Sequence, residues 1–477
     1  MTSVEFRNAR FLGREDLLDV SVIDGIVASI EPTGAKTAGI DLDGRILTPG
    51  LWDEHLHFTQ WTVQQSRLDL SGTAGADDVI DRVRKALPTD GTLTGYGFRD
   101  GTWATPPTLR ALDDATGSVP VVLISGDLHC AWINSAAAAR FGAHPDEAGM
   151  IRETDWFEVG PRVAASAPST VDMFRAAAAA AARRGVVGVV EFENTDNLSA
   201  WPERVASGVD SLRVEASVWP ERMQDAIDRG LRTGDVIDPS GLITMGRLKV
   251  VVDGSLNTRT ALCWDPYPGH DAHGCGVASV SPARLRELLL IARDNGIGAA
   301  VHAIGDRANS EVIDIFDDLR MTGVIEHAQL VRSNDFARFA ELGLVASVQP
   351  EHAMDDRDVA DRHWAGRTDR AFAYGSLHEA GATLRFGSDA PVAELDPWVA
   401  IAAATTRSRG ERVPWHPEQR VPLDVALASS MRGRSTVRVG DVADIAILDD
   451  DPFTIGDLRE MPVAATLVGG RFTHRSL

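Results

Sequence analysis

Lysine is nearly absent from this chain. Among 477 residues it stands only at Lys36, Lys85 and Lys249, so almost every cation is arginine. A lysine kept inside an apolar run, as in Arg247-Leu248-Lys249-Val250-Val251-Val252, calls for a chemical reason. Cysteine is also scarce. Cys130, Cys263 and Cys275 are too few and too scattered for a disulfide framework or a cysteine zinc site. No apolar run approaches the roughly 18 residues of a membrane span. Met1 to Arg10 lacks the basic-then-apolar order of a secretory leader. The formal net charge of −22 argues against nucleic acid or an anionic membrane as the main partner, because phosphate binding needs clustered Lys and Arg. A soluble, cytoplasmic protein is expected, with no nucleic-acid or membrane partner. A homodimer is compatible with the sequence.

What is present begins and ends in β-like runs. Residues 1–48 hold Val4-Glu5-Phe6, Leu18–Val22 and Ile26–Ile30, the last two flanking Asp24-Gly25, a hairpin signal. Asp444–Leu448 and Ala465–Val468 repeat the style at the other end. These predict one small β-sandwich domain assembled from residues 1–48 and 433–477. Between them, over 49–432, strand-like and helix-like runs alternate, the pattern of βα units on a parallel sheet. The candidate strands are 46–54, 119–126, 186–192, 212–218, 247–252, 298–303, 323–328, 344–349 and 383–388. A closed (β/α)8, TIM-like barrel needs eight strands. The surplus run is 119–126, inside a turn-rich stretch of about 60–183 read here as an insertion after the first barrel strand. Insertions at that end of a barrel shape or cover the active site. The predicted class is α/β.

Chemistry concentrates at predicted strand ends. Ile46–Trp52 runs into Asp53-Glu54-His55-Leu56-His57. Residues i and i+2 of a strand project to one side, so His55 and His57 suit metal ligation. With 119–126 set aside, Lys249 falls in the fourth barrel strand. His302, His327 and Asp389 then end the fifth, sixth and eighth. Barrel enzymes place catalysis at these C-terminal ends. Four imidazoles and a carboxylate suit zinc or another first-row divalent ion, and suffice for two ions if an anion bridges them. Lys249 is the candidate bridge. A bare ammonium in an apolar strand is costly, whereas the carbamate it forms with CO2 is an anion that arginine cannot make. Each residue alone has a blander account: rim packing for a histidine, an N-cap for Asp389, snorkelling for Lys249. Residues chosen together on strands 1, 4, 5, 6 and 8, all but Lys249 near the C-terminal end, point to a metal site.

The segments around these residues resemble the amidohydrolase superfamily of metal-dependent barrels. They are closest to its amidohydrolase-3 group, which includes N-substituted formamide deformylase. The resembling pieces are Leu47–His57, Asp253-Gly254-Ser255 with Arg259-Thr260-Ala261, His302–Ala308, Glu326-His327-Ala328-Gln329, Ser347-Val348-Gln349-Pro350 with His352, and Gly387–Val392 with Asp396-Pro397. Asp127-Leu128-His129 with Asn134-Ser135 adds a piece of the inserted region. Two departures stand out: the stretch Ser429–Gly440 is short, and Glu54 replaces a small residue before His55.

The resemblance implies a hydrolase cleaving the C–N bond of a small-molecule amide, of N-formyl or N-acyl amine type. It implies Zn2+, two per chain bridged by carboxylated Lys249, or other divalent metals in its place. The ligands would be His55, His57, Lys249, His302, His327 and Asp389. Asp389 would also be catalytic, carrying the proton of the activated water to the leaving nitrogen. Cyclic-amide opening of hydantoinase type fits the same residues. An aminohydrolase fits less well, since deaminases of the superfamily generally use one metal and no carbamate. A non-catalytic barrel scaffold should have lost ligands. Trp52, Phe58 and Trp61, with Trp103, Trp156 and Phe157, are candidates for an aromatic pocket wall. His129, Arg259, Gln349 and His352 are candidate polar substrate contacts.

Overall fold

In the computed structural model, which describes residues 3–34, 38–65, 67–98, 100, 103–126, 130–166, 169–269 and 274–477, eight parallel strands pair in chain order. They are β1 (Leu51–Leu56), β2 (Val186–Glu191), β3 (Arg213–Val218), β4 (Ile243–Val251), β5 (Ala299–Ala303), β6 (Val324–His327), β7 (Val345–Val348) and β8 (Thr383–Phe386). The first and last meet at their C-terminal ends. Leu56 bridges Ala390, the Asp389 N–H donates to the His55 carbonyl at 2.6 Å, and the His57 N–H donates to the Ala390 carbonyl at 2.8 Å. The result is a nearly closed TIM-like barrel.

The strands form where the sequence is rich in apolar, often β-branched residues. Every residue of Val186-Val187-Gly188-Val189-Val190-Glu191 is buried, as expected of a parallel strand covered on both faces. Gly188 is required by contact: a Cβ there would lie 2.5 Å from the Trp52 ring. The helices that follow strands start on recognisable caps. Ser281 caps Pro282–Asp294 by accepting the Arg284 N–H, and Asp396 caps Pro397–Thr406 by accepting the Trp398 N–H.

Strands from both termini share one pairing path. It runs Arg471–Arg475, Val463–Val468, Ile445–Leu448, Ile46–Pro49, Ser3–Phe11, Leu18–Ile23, Ile26–Pro32, with Ile40–Asp41 beside Ser3–Phe11. The strand Ser3–Phe11 changes partner along its length: Ser3 to Ala9 face Leu18–Ile23, whereas Arg10 and Phe11 face Ile46 and Leu47. Phe6, Phe11, Val20, Ile445, Ile447 and Leu467 form its core.

The chain divides into two compact units, residues 1–60 with 175–477, and residues 61–174. The second unit carries a five-stranded sheet ordered Met150–Arg152, Cys130–Ile133, Val121–Ser125, Leu93–Phe98, Leu68–Asp69. The surplus candidate strand 119–126 therefore belongs to this sheet and not to the barrel. Trp103 packs on Phe98 and Trp132, with ring centroids 5.5 and 6.4 Å apart, and Trp156 lies in a core cluster with Ile124, Ile133 and Phe141. Both tryptophans thus have a packing role in this unit. The side chain of Phe157 lies outside the described residues. Among the described residues, no helix is long and apolar enough to cross a membrane.

Candidate metal centre

The register between β1 and β2 shifts between Asp53 and Leu56, so regular pairing is interrupted across His55. The buried Asp53 carboxylate holds this irregularity. Its Oδ1 accepts the N–H of His55 at 3.1 Å and that of Ser388 at 3.0 Å, joining β1 to the loop after β8. His55 and His57 converge: their Nε2 atoms lie 3.5 and 3.4 Å from Asp389 Oδ1. His327 and Asp389 both occupy left-handed backbone, with φ of 74° and 56°. Such positions cost about 1–3 kcal/mol each and cluster where side-chain placement matters.

The other predicted ligands join the same group. The His327 ring centroid is 4.7 Å from that of His55 and 4.5 Å from that of His302. Lys249 Nζ is buried 3.3 Å from His55 Nε2 and 4.2 Å from the centre of the Phe192 ring. Two overlapping sets, His55 with His57 and Asp389, and His327 with His352 and Asp389, each bring ligand atoms within 4.8 Å of one another.

Burial and neighbouring charges together set the charge states; at His57 burial would lower the imidazole, but Asp389 holds it above its usual range. Burial drives His55 and His327 well below the usual imidazole range, with Lys249 adding to the effect at His55 and His302 at His327. His302 is pushed down to about 3 by burial and by Lys249. Lys249 falls to about 8, burial outweighing the pull of Glu326 and Asp389. Asp389 goes the other way. Burial would raise it, but His55, His57 and His327 together hold it well below the carboxylate range. Neutral imidazoles and an ionised carboxylate are the ligating forms.

Donor chemistry fits a divalent ion. His302 Nε2 and His352 Nε2 are buried and make no hydrogen bond among the described residues. Buried polar nitrogens are ordinarily satisfied, so two in one cluster of rings point to a group that takes lone pairs. His302 Nε2 does approach Asp253 Oδ1 at 3.4 Å. That carboxylate, however, is engaged by the N–H groups of Leu262, Ile304 and Gly305, which tie the loops after β4 and β5 together.

The candidate substrate contacts separate. His352 Nε2 faces the centre, 3.9 Å from Asp389 Oδ2. Gln349 stands behind His327, its Oε1 2.8 Å from Nδ1. Trp52 instead lies under the Arg432 guanidinium, 3.4 Å from its ring centre, and Phe58 is fully buried against Trp201 at 5.1 Å. Arg259 is exposed on a turn with φ of 58°. Trp61 is buried in the 61–174 unit, and His129 lies outside the described residues. Glu54 pairs with Arg432, a residue of the short Ser429–Gly440 stretch. Arg432 Nε donates to Glu54 Oε1 at 2.8 Å and Nη1 to Glu215 Oε1 at 2.5 Å.

Sequence reasoning passed over Glu326. Its Oε2 lies 2.6 Å from His55 Nδ1, with both side chains nearly inaccessible. The available signal was the carboxylate next to His327 in an otherwise apolar strand.

A nearly closed eight-stranded barrel with imidazoles and a carboxylate gathered at its strand ends presents a candidate metal centre. Residues 38–474 match the amidohydrolase family, and the chain belongs to it. It is 27% identical to Protein LONG AFTER FAR-RED 3 of Arabidopsis thaliana, over 92% of this chain and 84% of that protein. It is 24% identical to N-substituted formamide deformylase of Arthrobacter pascens, over 90% of this chain and 89% of that protein. The solved structure of an uncharacterized metal-dependent hydrolase from Pyrococcus furiosus superposes with a TM-score of 0.78 at 25% identity, covering 95% of this chain and all of that one.

Proposed function

We propose that this protein hydrolyses the C–N bond of a small N-formyl or N-acyl amide, using two zinc ions held by His55, His57, His302, His327, Asp389 and a carboxylated Lys249. The observation that carries this is the buried Lys249 amine set 3.3 Å from a histidine nitrogen. An ammonium among imidazoles is a poor metal neighbour, and a carbamate is a good one. Burial lowers Lys249 to about 8, which favours the neutral amine that adds to CO2. In that addition an N–C bond forms and one amine proton leaves to solvent. The similarity to a formamide deformylase supports the amide class.

Bound zinc supplies Lewis acidity and lowers the pKa of water from 15.7 to about 7. Asp389 does the proton work. Its ionised Oδ1, beside His55 and His57, accepts a proton from the attacking water and returns it to the nitrogen of the departing amine. The carbonyl carbon gains an oxygen and loses the nitrogen, so the products are an acid and an amine. His352, 3.9 Å from Asp389, is placed to contact the substrate beside this carboxylate.

A panel of formamides, longer acyl amides and cyclic amides, assayed with zinc, tests the class. Formate or carboxylate released with amine supports it. Ring opening alone, or ammonia from a heterocycle, would replace it with the cyclic-amidase or aminohydrolase function.

A further inference from the structure

We propose that Glu326 and Gln349 are positioning residues that fix which nitrogen of His55 and of His327 is presented to the metal; this rests on the metal centre proposed above. A neutral imidazole carries one N–H and one lone pair, and ligation needs the lone pair facing inward. His55 Nδ1 lies 2.6 Å from Glu326 Oε2. With the Glu326 oxygen as the acceptor, the proton sits on Nδ1 and the lone pair on Nε2. That Nε2 is the atom facing Lys249 Nζ at 3.3 Å and Asp389 Oδ1 at 3.5 Å. His327 repeats the arrangement. Its Nδ1 lies 2.8 Å from the amide oxygen of Gln349, which also only accepts.

The backbone makes the first lock available. Glu326 and His327 are consecutive in β6, and alternation would send them to opposite sides. The left-handed φ of 74° at His327 breaks the alternation. One strand end then supplies a ligand and also the buttress of a ligand on β1. A second loop, after β7, buttresses the β6 ligand in turn. His55 and His327 are held side by side with their rings tilted, 4.7 Å between centroids, by acceptors on different parts of the barrel. Such outer partners orient the ring and raise ligand affinity. A competing role for Glu326 is simple charge balance for Lys249, and the two roles respond differently to glutamine.

Zinc affinity, measured by chelator competition on the full-length protein, decides. Glu326→Ala and Gln349→Met remove the acceptors and should weaken zinc binding about 10–100-fold. Glu326→Gln and Gln349→Glu keep an acceptor oxygen and should stay within roughly threefold of wild type on the same scale. The unfolding midpoint of each metal-free variant checks folding. Should Glu326→Ala not fold, the Gln349 pair carries the same comparison. Unchanged affinity in the acceptor-less variants would overturn the proposal. Equal weakening in Glu326→Ala and Glu326→Gln would overturn it in favour of charge balance. A wild-type protein that binds no zinc would instead overturn the metal centre itself.

Discussion

Lys249 Nζ stands 3.3 Å from His55 Nε2, buried, with the Phe192 ring 4.2 Å away. A cation so close to a metal-facing nitrogen competes with metal, whereas a carbamate at that position binds it. Lys249→Ala should therefore lose at least about 100-fold in kcat/KM, the scale of losing a metal-organising group. Lys249→Arg should be no better, because guanidinium forms no carbamate. Added short carboxylates should partly restore Lys249→Ala by occupying the vacated anionic position. Wild-type turnover in either variant would remove the carbamate from the account.

Asp389 has its Oδ1 within 3.5 Å of both β1 histidines and an N–H bonded to the His55 carbonyl. Asp389→Asn keeps the shape and the backbone contacts but cannot take a proton. Its kcat should fall about 10²–10⁴-fold while zinc content stays near wild type. Equal turnover in a zinc-loaded variant would assign the proton transfer elsewhere.

Arg432 neutralises Glu54 and Glu215 together and covers Trp52. Its side chain is only 26% exposed, and those of Glu54 and Glu215 are 9% and 19% exposed. Arg432→Ala leaves the largely buried Glu54 without its ion-pair partner and Glu215 with Arg247 alone, which should cost about 3–5 kcal/mol of stability. Denaturant titration reads this directly. A loss below about 1 kcal/mol would mean that the cluster behaves as a surface pair.

How much of this could be read from residues alone is clear from particular cases. The barrel strands are legible because parallel strands buried on both faces are continuous apolar runs, as in Val186–Val190. The run 119–126 could be set aside only by counting, and the five-stranded sheet of the 61–174 unit gives its reason. The gathering of His55, His57, Lys249, His302, His327 and Asp389 follows from placing Lys249 within a barrel strand and the others at strand ends. What stayed hidden depends on backbone detail. The shift in β1 register and the left-handed His327 decide which neighbours face inward, and neither leaves a compositional mark. Glu326 was hidden for that reason. Trp52 and Phe58 invite assignment to a pocket wall because aromatic residues near a motif look functional. Arg432 and Trp201 account for them through packing.

Glu191 offers a pH test at a residue that is not itself a candidate ligand. It is fully buried, accepting the N–H groups of Phe58 and Glu193 and the Trp201 Nε1–H. Burial, with Glu193 adding to it, pushes its carboxyl from 4.5 up to about 7. A folded value above the unfolded one means stability present below pH 4.5 and lost as pH rises through about 7. Glu191→Gln does not titrate. Its melting temperature relative to wild type should therefore rise across that window and level off above it. A difference independent of pH would mean that Glu191 ionises normally in the fold.

The most direct test of the central claim is metal stoichiometry on protein purified in zinc with bicarbonate, beside Lys249→Ala prepared in parallel. About two equivalents per chain are expected for wild type, and one or fewer with activity lost for the variant. One equivalent or less in wild type, or two in Lys249→Ala with amide hydrolysis intact, would contradict it.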